Sequence, residues 1–332
     1  MEGTPARRPG SVRRTAHINM VWPEGFGTEL QLRGSARDLF TPQLGDPLVL
    51  DEATMVAGIG DGRVITSVEV TPDQPGVKDL VGAKGGSNSR SVIDEVMSGQ
   101  AGSASPLRLL LDDIAGCSLI APFAWSQARP DPDRPNPLGP RPSHANAPPA
   151  EPIGIRKGRI ICSGLRPGGY HEVQRSRGAM AGHHLRTPGQ LESEDRWAWH
   201  EIEPAPEVCM RRRRRFDVWT VSGGIEVESH FRDSCWHFEL GELVVHEYTL
   251  QATLDHDHNI TEIIARPRVL PFPECPGAAS HVEQLVGKPV RPFRSSVPET
   301  LRELEACTHL NDMLRGLADL DSLARALEPG TS

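Results

Sequence analysis

The chain has 332 residues, of which 37% are hydrophobic and 24% are charged, and its formal net charge is −8. This profile is typical of a soluble globular protein with more than one structural unit and an acidic surface, and it argues against nucleic-acid binding. No stretch approaches the roughly 20 apolar residues of a membrane span. The six cysteines are thinly spread, so we expect free thiols and a cytoplasmic location.

A proline-rich segment divides the chain. Residues 126–152 contain nine prolines, a density that prevents both a helix and an interior strand. We therefore predict a first unit over residues 13–125, a linker over 126–152, and a second unit over 210–327. We also predict that residues 153–209, between the linker and the second unit, form an intervening segment that is able to close over a site as a lid.

The two predicted units resemble each other. At a constant shift of 195 positions, Arg37–Val70 aligns with Arg232–Ala265 without a gap, and nine of 34 positions are identical, where chance gives about two. Both units show strand signals followed by helical stripes such as Leu310, Met313, Leu314 and Leu317. We predict an α+β fold in which a small antiparallel sheet backed by helices is duplicated, with two copies packed pseudo-symmetrically.

The run Arg211–Arg215 is the most basic feature of the chain. A phosphate or nucleic-acid site would need a supporting basic face, which the net acidity does not supply. We instead predict that the run lies between domains or on an exposed strand edge, where charge discourages aggregation.

Reactive residue types occur in the second unit at positions where the first has none. His246 aligns with Asp51, and Cys275 aligns with a stretch that has no thiol. Cys307 and His309 align with the neighbourhood of Ser105, which again has neither Cys nor His. This asymmetry indicates that any chemistry belongs to the second unit, whose helix starts would lower the pKa of Cys275 and Cys307.

These residues predict a metal site. We expect His246, Cys275 and Cys307 to hold zinc or iron, and His309 or Glu247 to move a proton. Cys307 and His309 face the same site only if Cys307 precedes the helix. The alternative is that both cysteines are small buried hydrophobic residues. The cluster Asp255–His258 also contains metal-ligand types, but it lies in a predicted hairpin turn where polar residues are common.

The second unit resembles a known family. Its run Cys307–Leu314, together with Val245–Glu247 and Pro273–Pro276, is similar to a bacterial family known as domain of unknown function 2889, which implies no activity. A weaker resemblance is to U-type iron-sulfur scaffold proteins. There, Cys275 and Cys307 match two scaffold cysteines and His246 or Glu247 stands near the remaining ligand position, whereas the first scaffold cysteine is absent. This second resemblance implies a metal site and a related fold.

Three functions remain open. The first is a metal-assisted lyase or hydrolase of bacterial catabolism, acting on a small molecule. The second is a cofactor-free lyase that uses the Cys275 and Cys307 thiols with His309. The third is a metal-binding or partner-binding protein that is not an enzyme. The chain lacks a glycine-rich phosphate loop and a G-x-S-x-G motif. We expect neither nucleic-acid nor membrane partners, and exposed sheet edges are compatible with a homodimer.

Overall fold

The computed structural model describes residues 3–25, 27–98, 104–127, 155–156, 159–176, 186–187, 189, 191 and 193–327. The strands are β1 (Ser11–Val21), β2 (Leu30–Thr41), β3 (Leu48–Ile59), β4 (Ile65–Thr71), β5 (Ile155–Arg156), β6 (Arg159–Ile160), β7 (Cys209–Val221), β8 (Gly224–His237), β9 (Gly241–Leu254) and β10 (Ile260–Val269). The helices are α1 (Ser87–Val96), α2 (Pro106–Ile120), α3 (Ala124–Gln127), α4 (Tyr170–Ser176), α5 (Phe293–Thr300), α6 (Thr308–Arg315) and α7 (Leu320–Arg325), together with a 3₁₀ stretch at Cys275–Leu285.

The eight long strands form one antiparallel sheet. Their order is β10-β9-β8-β7-β1-β2-β3-β4. The strands β1–β4 form a first meander, β7–β10 form a second, and β1 pairs with β7 to join the two. The predicted α+β class and the antiparallel meanders are confirmed. Because the sheet continues across β1 and β7, the predicted units share one sheet rather than forming separate ones.

The central hairpins of the two meanders have matching registers. In the first, Asp38 on β2 is the Cα partner of Asp51 on β3, and in the second, Asp233 on β8 is the partner of His246 on β9. A β-bulge directly follows Asp38 and Asp233 alike. Both pairs are related by the same shift of 195 positions that aligns the sequences, so the two hairpins present corresponding residues to the same face of the sheet.

Helices cover one face of this sheet. Side chains of successive strand residues point to opposite faces, and the apolar residues Val12, Ile18 and Met20 of β1 are buried in the same core as Leu110 and Leu314 of the helices. The turn before β8 depends on Gly224, whose φ is +152° and where a Cβ would lie 1.9 Å from the Leu254 carbonyl oxygen. A larger residue there would push β8 away from β9.

The arginine run lies in the middle of the sheet, on the strand that joins the two predicted units, and the predicted exposed strand-edge position is wrong. Arg211–Arg215 belong to β7, which has paired strands on both sides, and all five side chains are buried. Arg212 and Arg214 point toward the helices and bind Asp113 of α2, at 3.2 Å and 2.9 Å. Sequence alone gave no sign of these ion pairs, because the acidic partners lie about 100 residues away.

Residues 197–200 of the intervening segment pack on the face of the sheet opposite the helices. The Trp197 carbonyl oxygen accepts a hydrogen bond from Arg37 at 2.9 Å. His200 lies 2.7 Å from Nδ1 of His17 and 2.8 Å from the Thr15 hydroxyl. Part of the predicted lid is therefore a cover for the centre of this face, well away from His246 and His309, which lie on the helix side.

The predicted linker mostly falls outside the described residues. Its first two positions, 126 and 127, belong to α3, and residues 128–152 are not among those described. Within the part of the chain that the structure describes, no helix is long and apolar enough to cross a membrane.

Candidate functional site

Three side chains that are able to bind metal meet where β8 and β9 face α6. Asp233 comes from β8, His246 from β9, and His309 from the first turn of α6. One ligand atom from each lies within 4.8 Å of the others, and all three residues are buried. The sheet register brings Asp233 beside His246, while packing of α6 on the sheet adds His309.

Asp233 is held in place by an arginine of the run. Arg212 binds both carboxylate oxygens, with Nε 2.9 Å from Oδ1 and Nη2 3.0 Å from Oδ2. The same guanidinium contacts Asp113 and Asp312, each at 3.2 Å. This two-point pairing fixes the orientation of the Asp233 carboxylate more tightly than a single contact would. The carboxylates of Asp113 and Asp312 add negative charge around the buried Arg212 guanidinium.

The two histidines are stacked. Their ring centroids lie 3.6 Å apart with an angle of 17° between the rings. His309 Nε2 lies 3.5 Å from Asp233 Oδ2. Burial, with a further contribution from Arg212, lowers the pKa of His309 to about 3. The ring is therefore neutral near pH 7, which is the form of imidazole that binds a metal ion.

Cys307 lies on the other side of His309. It is the N-cap of α6, as required for Cys307 and His309 to face one site, and its Sγ is 4.0 Å from Nδ1 of His309. The Thr308 hydroxyl is 3.4 Å from the same nitrogen. The predicted fall in thiol pKa is wrong, because burial raises the pKa of Cys307 above its usual value and outweighs the effect of the helix start.

Cys275 lies near Cys307 but outside the group of close ligand atoms. It begins the 3₁₀ stretch, and its backbone N–H donates to the Phe272 carbonyl oxygen at 3.1 Å. Burial also raises the pKa of this thiol, followed by interaction with Cys307. The structure thus brings His246, His309 and Cys307 together, and it leaves Cys275 beside them rather than among the ligand atoms.

Cys162 is a neighbour that the sequence did not indicate. The backbone N–H of Ser163 donates to the Ala306 carbonyl oxygen at 3.0 Å, which anchors the intervening segment next to α6. The pKa of Cys162 is raised to about 12 by burial and then by Cys307. A third thiol thus approaches the site from a segment with no recognisable motif.

Glu247 points away from this site. It follows His246 on β9, so its side chain emerges on the opposite face of the sheet. There it lies 2.9 Å from His230 Nε2 and 2.8 Å from Arg232 Nη2. A role for Glu247 in proton transfer at the His246 site would require it to reach through the sheet.

The cluster Asp255–His258 occupies the turn between β9 and β10, as its sequence predicts. Asp255 accepts from the backbone N–H groups of Asp257 and Asn259, at 3.0 Å and 2.8 Å. These bonds close the turn. His258 Nδ1 lies 2.5 Å from Oδ1 of Asp321 on α7, so this contact links the turn to a helix.

Comparison with known proteins finds one family that part of the chain resembles. Residues 210–322 match the family described as "Protein of unknown function (DUF2889)", and this confirms the resemblance inferred from Cys307–Leu314. The matched part begins in β7 and ends in α7. No curated protein matches the chain, and no solved structure matches it. The likeness to iron-sulfur scaffold proteins stays a prediction.

Proposed function

We propose that Asp233, His246 and His309 bind a zinc or iron ion, and that the protein is a metal-assisted lyase or hydrolase acting on a small molecule. The observation that carries this proposal is the meeting of three ligand atoms within 4.8 Å of one another. Ligand bonds of about 2.0–2.2 Å to a shared ion need donor atoms about 3.4 Å apart. The stacked His246 and His309 rings would have to turn for both to direct a nitrogen at the ion.

The donor types favour a catalytic ion over a structural one. Structural zinc sites are closed by four ligands, usually rich in cysteine, whereas two imidazoles and one carboxylate leave positions for water or substrate. The proposed ligand set therefore keeps His246 from the sequence prediction. It replaces Cys275 and Cys307 with Asp233 and His309.

The surrounding residues support these ligands. Arg212 orients Asp233 through its two short contacts, and Cys307 and Thr308 contact Nδ1 of His309. Partners of this kind fix the orientation of a metal ligand. A bound divalent ion would lower the pKa of a water molecule or polarise a substrate oxygen.

A metal titration tests the proposal. We expect zinc or Fe(II), added to chelator-treated protein, to raise the thermal unfolding midpoint, because an ion that binds only the folded state stabilises it by about 2.7 kcal/mol at 100 times its Kd. His246→Ala and His309→Ala should abolish the rise. His256→Ala, in the exposed turn, is the matched control and should keep it. An equal rise in His246→Ala would contradict the ligand assignment, and no rise in the wild type would contradict the metal.

A second candidate is a cofactor-free thiol lyase. It is favoured by the arrangement in which His309 lies between Cys307 and Asp233. The thiol lies 4.0 Å from one ring nitrogen, and the carboxylate lies 3.5 Å from the other, the sequence of contacts that activates a nucleophile. It predicts that iodoacetamide modifies Cys307 in metal-free native protein faster than it modifies Cys117, which is buried in α2. Equal, slow labelling of the two would contradict this candidate.

We also infer that the two meanders descend from one duplicated unit. The shared register, the shared bulge and the nine identities support this origin. The corresponding buried pairs are Arg14 with Asp38 at 2.6 Å and Arg212 with Asp233 at 2.9 Å. On this account the second copy alone acquired His246 and His309.

A further inference from the structure

The first meander has an open strand edge. On one side, β3 pairs with β2 from Leu48 to Ile59, but on the other side β4 pairs with it only from Thr54 onward. Within the part of the chain that the structure describes, no strand pairs with the outer side of Leu48–Ala53, the open edge. A strand edge of this kind carries unpaired backbone N–H and C=O groups, which are a template for a further strand.

The equivalent edge in the second meander is covered. At the shift of 195 positions, Val49 corresponds to Val244 on β9. The backbone N–H of Val244 donates to the Arg186 carbonyl oxygen at 2.9 Å, in an antiparallel bridge. Because Ser234 of β8 pairs with the other side of Val244, this bridge lies on the side of β10, beyond the last β10 pair at Glu247. An extended piece of the intervening segment therefore continues the second meander.

The open edge exposes apolar side chains that the covered edge buries. Leu48, Val49 and Leu50 are 56%, 44% and 44% exposed. Their equivalents on β9 are only 5%, 0% and 1% exposed, and these are Leu243, Val244 and Val245. Successive residues of a strand point to opposite faces, so apolar surface is bare on both sides of the first meander at this point. Contiguous exposed apolar residues of this kind mark an interaction site.

Two carboxylates give the open edge a negative charge. Asp51 and Glu52 follow the apolar residues, and both are exposed. Asp51 lies opposite Asp38 and Glu52 lies opposite Arg37 on β2, and among the described residues neither carboxylate is in an ion pair. Pairing with the same edge of a second copy would bring like charges together, which is unfavourable. A basic segment is the complementary occupant.

We propose that the open edge binds an extended segment of a partner protein, which adds to the sheet as an antiparallel strand and carries two consecutive basic residues followed by apolar ones. The basic side chains lie opposite Glu52 and Asp51, and the apolar ones lie opposite Leu50, Val49 and Leu48. In this mode of recognition, backbone hydrogen bonds supply affinity and side-chain positions supply specificity. The proposal does not depend on the metal site, whose ligands lie on the second meander and α6.

Two labelled hexapeptides, measured by fluorescence anisotropy with the full chain at low salt, test the proposal. The first has the order Thr-Lys-Lys-Val-Val-Val, which matches Leu48–Ala53 in antiparallel register, and the second has glutamate in place of both lysines. We expect saturable binding of the basic peptide. The acidic peptide should bind about tenfold more weakly or less, because two favourable charge pairs become two unfavourable ones. Asp51→Lys should reduce this difference between the peptides.

Val49→Lys and Val56→Lys are a matched pair of variants. Both valines lie on β3 and are 44% and 41% exposed, but Val56 is already paired on both sides, with Arg33 on β2 and Glu69 on β4. Val49→Lys should weaken binding of the basic peptide by about fivefold or more, since it replaces an apolar cross-strand contact by a charge of the same sign as the peptide. Val56→Lys should bind the peptide as the wild type does.

Three results would overturn the proposal: no binding of the basic peptide, equal binding of the two peptides, or an equal effect of the two valine substitutions. Sedimentation of the full chain without peptide tests the competing occupant. We expect a monomer at this edge, and a dimer that Val49→Lys dissociates would instead assign the open edge to a second copy of the chain.

Discussion

The two meanders place an aspartate at the same point and surround it differently. Asp38 and Asp233 each pair with a buried arginine and each precede a bulge. The residue opposite Asp38 is the exposed Asp51, whereas the residue opposite Asp233 is the buried His246. The shared pairs are thus part of the scaffold, and the difference between the meanders lies in the residues that surround each pair.

The helices show the same contrast. Ser105 is the N-cap of α2, and its hydroxyl accepts from the Arg108 backbone N–H at 3.3 Å. Cys307 is the N-cap of α6, and its sulfur, which is a weaker acceptor than a hydroxyl, faces the backbone N–H groups of His309 and Leu310. Serine is a favoured N-cap residue. A cysteine at this position therefore stabilises the helix less than a serine would. Residues that reduce local stability in this way are expected at functional sites.

Loss of either scaffold aspartate should have the largest effect. Asp38→Ala and Asp233→Ala each remove the carboxylate that binds a buried arginine at two points, while Arg14 keeps Asp319 and Arg212 keeps Asp113 and Asp312. We therefore expect each substitution to lower the free energy of unfolding by about 1.5–3 kcal/mol. Urea denaturation measures the change, and Asp257→Ala, in an exposed turn, should change it by less than about 0.5 kcal/mol. If Asp38→Ala lowered the free energy of unfolding and Asp233→Ala did not, the two arginine–aspartate pairs would not be equivalent.

The buried histidines predict how stability depends on pH. Burial lowers the pKa of His17 to about 2, with His200 as the next cause, and burial lowers the pKa of His230 to about 4. Their unfolded pKa is about 6.5, so the unfolded state binds more protons below that pH. Above about pH 6.5 these histidines should not change the free energy of unfolding with pH. Below that pH, the free energy of unfolding should fall by up to about 1.4 kcal/mol per pH unit for each histidine.

Urea denaturation between pH 7 and pH 5 measures this slope. His17→Gln on the first meander and His230→Gln on the second should each make the slope shallower by the same amount, and His256→Gln, at an exposed position, should leave it unchanged. A slope that neither buried substitution alters would show that these histidines have the same pKa in the folded and unfolded states, and would contradict the lowered folded values.

The exchange of N-cap residues should give the smallest effect. Cys307→Ser is expected to stabilise the protein by about 0.5–1 kcal/mol, and Ser105→Cys to destabilise it by a similar amount, since a hydroxyl accepts a hydrogen bond from the helix N–H groups better than a sulfur does. Thermal unfolding of the two variants measures both. Destabilisation by Cys307→Ser would mean that the Cys307 sulfur makes a structural contact that serine cannot replace.

The scaffold was more predictable from sequence than the site. Alternating apolar residues and the 195-position repeat predict the meanders, because period-2 patterns and pairing register are local properties of a chain. The position of Arg211–Arg215 was not predictable, since charged runs are usually solvated and the balancing Asp113 and Asp312 lie on distant helices.

One residue of the site could not be recognised from the sequence, because it is identical in the two halves. Asp233 matches Asp38, so comparison of the halves does not distinguish it, although it completes the group with His246 and His309. Strand alternation alone does separate His246 from Glu247, since adjacent residues face opposite sides. No sequence pattern places Cys162 near Cys307, because this contact depends on how the intervening segment packs.

The metal content of native protein, measured by mass spectrometry, tests the central claim most directly. The decisive variant is His246→Asp, which gives the second meander the residue found at Asp51 in the first, and Asp51→His is its counterpart. We predict near-stoichiometric zinc or iron in the wild type and in Asp51→His, and its loss in His246→Asp. Absence of metal from the wild type, or equal metal in His246→Asp, would contradict the account.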